Sequence, residues 1–189
     1  MRIQLYSARK NRRRRHLLPR RQRPFPGSIL RRACRSRRPA AATYTAENTP
    51  EDVCLTQQVL GFAYAPPLEG TVTSAFGYRL HPIAGENRFH YGVDIDAEEG
   101  TGIRAFADGV VGVVAQSSDL GNYVTVDHPG GFTTLYAHCK CITASAGQTV
   151  RCGAILAQVG QTGAATGPHL HFELHWDQVY INPVYYVAS

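Results

Sequence analysis

Long apolar runs are missing from this 189-residue sequence. Nothing in it approaches the roughly 20 consecutive apolar residues that a membrane-spanning helix needs. Nor does any stretch supply the apolar core of about 7–15 residues that follows the charges of a secretory signal. HLLP and GSIL are far too short, so no export route is legible. Acidic residues are absent from positions 1–40, which hold 15 of the 20 Lys and Arg. Cysteine is sparse and odd in number: Cys34, Cys54, Cys139, Cys141 and Cys152. In a chain of this size that speaks against a disulfide framework. If extended, Cys139 and Cys141 would share one face, with Cys152 near them. A second metal site therefore stands open beside the plainer reading of small buried thiols. Convincing helical periodicity is absent from residue 63 onward, which points away from helical folds.

What remains divides into two objects of opposite charge. Residues 1–62 read as a basic, low-complexity tail and linker, and residues 63–189 as a domain. From residue 41 on, 5 basic residues stand against 14 acidic ones, a formal charge of −9. The tail segment RKNRRRRHLLPRRQRPFPGSILRRACRSRRP, which includes His16, should be disordered, because like charges repel and little apolar surface can be buried. Such a polycation suits an anionic polymer, wall teichoic acid or a membrane surface. Nucleic acid is the rival partner, which predicts steeply salt-dependent binding, but no specific nucleic acid is expected. An extension without structure or role is the plainer alternative.

From Pro66-Pro67 onward the chain reads as short strands punctuated by glycine. TVTSAFG, FHYGVDID, NYVTVDH and FTTLYAHC are candidate strands. IRAFADGVVGVVAQ contains two, divided at the hairpin-type dipeptide Asp108-Gly109. Pro129-Gly130-Gly131 is the clearest hairpin signal. AGQTVRCGAILAQVGQTG adds short strands, in which Ile155, Ala157 and Val159 would share one face. The expected fold is all-β: an antiparallel sandwich or partly closed barrel. A core of that length needs no metal to hold it together, so any metal is functional rather than structural.

Histidines carry the chemistry. In GPHLHFELH, taken as a strand, His169, His171 and Glu173 share one face, and Leu170, Phe172 and Leu174 share the other. A polar face backed by a packed core suits a metal or a reaction, although H-x-H alone is a weak signal. In HYGVDI, His90 and Asp94 would lie about 13 Å apart in a straight strand, too far to share an ion with ligand bonds of about 2 Å. A shared ion requires a bend, which Gly92 permits, with Tyr91 and Val93 pointing away. His138 ends FTTLYAHC after the hairpin, where functional residues concentrate. His81, His128 and His175 read more plainly as structural.

Together, FGYRLHPIAGENRFHYGVDI, GNYVTVDHPGGFTTLYAHC and VGQTGAATGPHLHFEL resemble, in order, the lysostaphin/LytM-type zinc metallo-endopeptidases that cut bacterial peptidoglycan. The resemblance runs from about Glu69 to Tyr186 and leaves out the tail. It implies one zinc per domain, held by His90, Asp94 and His171 beneath a groove. It implies that His138 and His169 are catalytic and do not bind the metal. Cys139 departs from the leucine often found after that histidine. Two imidazoles and one carboxylate would leave an open fourth position on a tetrahedral zinc. Zinc-activated water would attack the amide while His138 and His169 divide the proton transfers. Glu173 or Asp96 would be the carboxylate that fixes an imidazole tautomer. Peptide stems or bridges of peptidoglycan would be the substrate, either glycine bridges or D-amino-acid cross-links, and the place of action would be outside the cytoplasm. Two rivals stand beside this reading. One is a non-catalytic scaffold that activates other wall hydrolases, but relatives of that kind lack the histidines kept here. The other is a cofactor carrier, to whose glycine-spaced hairpins AGQTVRCGAILAQVG is similar. Carriers modify a lysine on an exposed turn, and the only lysines are Lys10 and Lys140, neither in such a turn. Nothing in the sequence sets an oligomeric state.

Overall fold

Short apolar alternations broken by glycine become strands in the computed structural model, which describes residues 49–80 and 85–187. The expected disorder of residues 1–40, together with His16, Cys34 and His81, lies outside those residues. The strands are β1 (Val53–Cys54), β2 (Thr71–Ser74), β3 (Gly77–Leu80), β4 (Asn87–His90), β5 (Val93–Asp96), β6 (Gly102–Arg104) and β7 (Gly109–Ser117). They continue with β8 (Gly121–Asp127), β9 (Phe132–Ile142), β10 (Thr149–Val150), β11 (Ile155–Val159), β12 (His169–Trp176) and β13 (Val179–Ile181). A single helical turn, α1 (Val184–Val187), follows. The described residues form an all-β fold, as their alternation predicts.

Eleven strands form one sheet with the path β1-β13-β12-β9-β8-β7-β10, onto which β5, β2, β11 and β6 are joined. β3 and β4 form a separate hairpin. Val150 of β10, Ile103 of β6 and Ile181 of β13 belong to one buried cluster with Phe106, Tyr136 and Phe172. Phe106, two residues past β6, bonds the Tyr136 hydroxyl of β9 at 2.9 Å and sets its ring 5.5 Å from Phe172 of β12. β6 reaches β12 only through β11 and β9, so the sheet coils over its own core without closing. Each fully buried large side chain in that cluster contributes about 1.5–3 kcal/mol.

β12 is central, with β9 along one side and β5 then β13 along the other. Its Leu170, Phe172 and Leu174 are wholly buried in the core, so the opposite face is presented from rigid backing. The Pro129–Gly131 segment closes the β8–β9 hairpin as expected. Asp108-Gly109 does not close one: β6 pairs with β11, while β7 pairs with β8 and β10. Ile155 does not share the buried face of Ala157 and Val159. A register shift where β11 meets β6 leaves Ile155 exposed and turns Leu156 inward. One pairing is parallel, that of β1 with β13. Residues ahead of position 63 pack on the sheet through it, through buried Leu60 and through the Gln58 N–H, which donates to the Tyr186 hydroxyl at 2.8 Å.

His128 is structural, as its plain reading held. Its ring bonds the Asp108 carbonyl at 2.9 Å and the Thr134 hydroxyl at 2.8 Å, and Thr134 bonds buried Tyr136. Cys139 is buried, whereas Cys141 is exposed beside Gln158 and Cys152 reaches the Phe106 carbonyl. Among the described residues no group of cysteines forms a second candidate metal site.

Candidate metal centre

β5 and β12 are antiparallel with Asp94 directly opposite His171, so their side chains project on the same face. His90 closes β4 in the other sheet, and the chain turns at Tyr91-Gly92 before entering β5. The bend that the spacing demands is present. Its glycine is needed for space as much as for flexibility, because a Cβ on Gly92 would run into the Phe172 carbonyl and the His171 ring. Val93 enters the core as expected. Tyr91 instead lines the groove, 4.5 Å from the Tyr180 ring.

The bend closes a tight triangle. His90 Nε2 lies 3.0 Å from His171 Nδ1 and 3.1 Å from Asp94 Oδ1, and His171 Nδ1 lies 2.9 Å from Asp94 Oδ1. All three side chains are buried. Ligands at about 2.0–2.2 Å from a tetrahedral zinc stand roughly 3.3–3.5 Å apart, so the three donors need only small outward shifts to hold such an ion. Their chemistry fits it as well: two imidazoles and one carboxylate.

Every donor is held from behind. His90 Nδ1 donates to the Ala75 carbonyl at 3.0 Å, leaving Nε2 inward. His171 is reversed: Nε2 meets Glu173 Oε1 at 3.0 Å, and Nδ1 faces inward. Glu173 Oε2 in turn takes His175 Nε2 at 2.8 Å. Of the two carboxylates expected to orient imidazoles, Glu173 does so. Asp96 is exposed at the end of β5 and among the described residues bonds no imidazole. Asp94 Oδ2 pairs with the guanidinium of Arg79 at 3.1 Å. Sequence reasoning missed Arg79, which stood inside a quoted motif as a single unpatterned charge.

Burial disfavours charge on these groups, and the contacts decide the balance. Asp94 stays far below the usual carboxylate range despite its burial, through bonds from His171 and His90. Burial works against protonated His171, yet Asp94 and Glu173 raise it to about 9. Burial likewise opposes ionised Glu173, which His171 and His175 bring down to about 2. His90 is lowered, chiefly by burial.

His138 and His169 stand together beside the triangle, ring centroids 4.7 Å apart. His138 lies within β9 rather than at a strand end, at φ 60°. The pairing of β9 with β8 slips around it: Cys139 lies opposite Asn122 and Tyr136 opposite Val124, three residues of β9 against two of β8. The residue is thereby bulged toward the groove, in a backbone conformation that side chains other than glycine seldom adopt. Its N–H donates to the Leu120 carbonyl at 2.8 Å, and its Nδ1 to the Thr162 carbonyl at 2.8 Å. His169 Nδ1 donates to the Gly167 carbonyl at 2.8 Å. A carbonyl only accepts, so in both rings Nδ1 carries a proton, and Nε2 is the nitrogen left free of that bond. Burial lowers His138 to about 4, which keeps it neutral at pH 7. His169 Nε2 is 3.8 Å from Asp94 Oδ1, outside the triangle. Thr162, also missed, lies between glycines, and its hydroxyl donates to the Cys139 carbonyl at 2.8 Å.

A groove of about 640 Å³ opens over these residues, lined also by Arg88, Phe89, Asp119 and Leu120. Two imidazoles and a carboxylate on rigid strands, flanked by two further imidazoles held through Nδ1, make the donor set of a hydrolytic metal centre. The profile of peptidase family M23 matches residues 88–183, and the chain belongs to that family. The DD-carboxypeptidase/endopeptidase Mpg of Neisseria meningitidis serogroup B is 41% identical over 134 residues, covering 71% of this chain and 31% of the relative. Peptidoglycan DD-endopeptidase ShyC of Vibrio cholerae is 38% identical over 105 residues, 56% of this chain and 24% of the relative. A zinc-containing peptidase from Vibrio cholerae superposes with a TM-score of 0.59 at 34% identity, over 64% of this chain and 38% of that one. The catalytic domain of the antimicrobial peptidase lysostaphin from Staphylococcus simulans gives 0.57 at 26% identity, over 64% and 93%. The chain spans less than a third of the length of these curated relatives.

Proposed function

We propose that this protein is a zinc-dependent endopeptidase that hydrolyses peptide cross-links or bridges of bacterial peptidoglycan, acting outside the cytoplasm. The observation that carries the reading is the buried triangle of His90, Asp94 and His171 with His138 and His169 at its open side. Membership of family M23 and the DD-endopeptidase names of the relatives support it. His90, Asp94 and His171 are the residues that would hold the metal. Zinc, when bound there, supplies the Lewis acid that makes water a competent nucleophile near neutral pH. His138 and His169 are the catalytic pair, each with its Nδ1 proton tied to a backbone carbonyl. That tether orients Nε2 to take a proton from the attacking water or, once protonated, to deliver it to the departing amine. His138, neutral at pH 7, fits the accepting role.

Two variants test the assignment. His171→Ala should lose zinc and hydrolysis together. His169→Ala should retain zinc and lose most turnover, about 10²–10⁴-fold for a general acid or base. A folded His169→Ala protein without zinc would exchange the roles of the two histidines. Failure of the parent protein to retain zinc would favour the scaffold alternative. Digestion of walls with glycine bridges and of walls with direct cross-links, with identification of the freed amines, reads the bond that is cut. The basic tail is assigned to contact with an anionic polymer or membrane surface, and deletion of residues 1–40 should remove salt-sensitive wall binding without altering zinc content.

A further inference from the structure

Two arginines face each other across the β3–β4 hairpin. Arg79 lies directly opposite Arg88 in its register, and both line the groove. Like charges placed directly opposite on a sheet destabilise the pair. The domain is also sparing with cations: from residue 41 on they are Arg79, Arg88, Arg104, Lys140 and Arg151. Lys140 pairs with Glu99 and Arg151 with Asp108, each at 3.0 Å, while Arg104 bonds the Gly153 carbonyl. Arg79 is committed to Asp94. Arg88 has Glu86 at 3.4 Å, with both side chains more than half exposed, a contact worth little in water. An acidic domain thus sets two of its five cations side by side on one groove wall. Asp119, on the turn between β7 and β8, lines the same groove and disfavours an anion at its own end.

We propose that Arg88, beside Arg79, binds a carboxylate within one residue of the scissile amide. The site then selects cross-links that carry such a carboxylate over uncharged glycine bridges. This rests on the peptidase reading above and adds the chemical class of its substrate. The planar guanidinium fork can hold a carboxylate through two parallel bonds. Arg79 cannot turn to the substrate without releasing Asp94, so Arg88 is the guanidinium left to hold the carboxylate.

The test uses two synthetic cross-linked peptide dimers, one with a free carboxylate beside the scissile amide and one with that group amidated. The zinc-loaded parent should cleave the carboxylate dimer with a kcat/KM about tenfold higher, the scale of one charge-assisted hydrogen bond. Arg88→Gln should bring that ratio to about 1, and Arg88→Lys should leave it between. Binding titrations of both dimers in a His169→Ala background, with and without Arg88→Gln, read the same discrimination apart from turnover. Equal affinities in the His169→Ala protein, or an undiminished preference after Arg88→Gln, would overturn the proposal. Discrimination in binding without hydrolysis by the parent would sink the peptidase reading and sustain Arg88. Hydrolysis without discrimination would do the reverse.

Discussion

Four imidazoles at the centre follow one rule: each ties one ring nitrogen to an acceptor outside the triangle and turns the other toward the groove. Three use backbone carbonyls, and His171 uses Glu173. A carboxylate is the stronger partner because it also stabilises positive charge on the ring. Glu173→Gln keeps the shape and removes the charge. It should weaken zinc affinity by about tenfold or more, measured by competition with a chelator, while thermal unfolding stays cooperative. The H-x-H pattern and the shared face of Glu173 were legible in the sequence because strand alternation is local. Arg79 and Thr162 were not, since one charge in a hairpin or one hydroxyl in a glycine-rich loop has no periodic signature. Which side of each ring faces inward was equally hidden.

The β9 strand stores strain where it delivers His138. Its φ of 60° is the left-handed region, which costs a residue with a Cβ roughly 1–2 kcal/mol. His138→Gly and His138→Ala both remove the imidazole and should both abolish turnover. The glycine variant should nevertheless be the more stable of the two, by about 1 kcal/mol, in urea unfolding. Equal midpoints would show that the backbone relaxes and that the bulge depends on the side chain. The sequence placed His138 at a strand end because residue spacing cannot reveal a slip of register. It also suggested a hairpin at Asp108-Gly109, since turn chemistry reports where a chain bends and not which strand it joins next. Gly92 was different: the His90–Asp94 spacing required a bend there, and the two-sheet arrangement supplies it.

Stability of the coiled sheet is tied to pH through groups remote from the centre. His128 is held below its ordinary value, chiefly by burial. Its unfolded form near 6.5 therefore takes up a proton more readily than the folded form. Stability from this residue is fully present above about pH 6.5 and is lost as pH falls through the lower folded value. Urea midpoints should drop between pH 7 and pH 5, and His128→Gln should flatten that dependence while starting from a lower midpoint at pH 7. An unchanged slope in the variant would assign the acid sensitivity to other groups.

Composition, charge partition and strand alternation are properties of neighbours along the chain. For that reason the sequence alone established an all-β acidic domain behind a basic tail, and a polar strand face bearing His169, His171 and Glu173. The resemblance carried by its ordered motifs also pointed to His90, Asp94, His138, His169 and His171, which line one groove. Tertiary structure decided what depends on distant segments pairing: the register that sets Asp94 against His171, the bulge that turns His138, the guanidinium that reaches Asp94, and the nitrogen each ring presents. Pairing between remote strands is fixed by burial of the whole core at once, and no short stretch of residues contains that information.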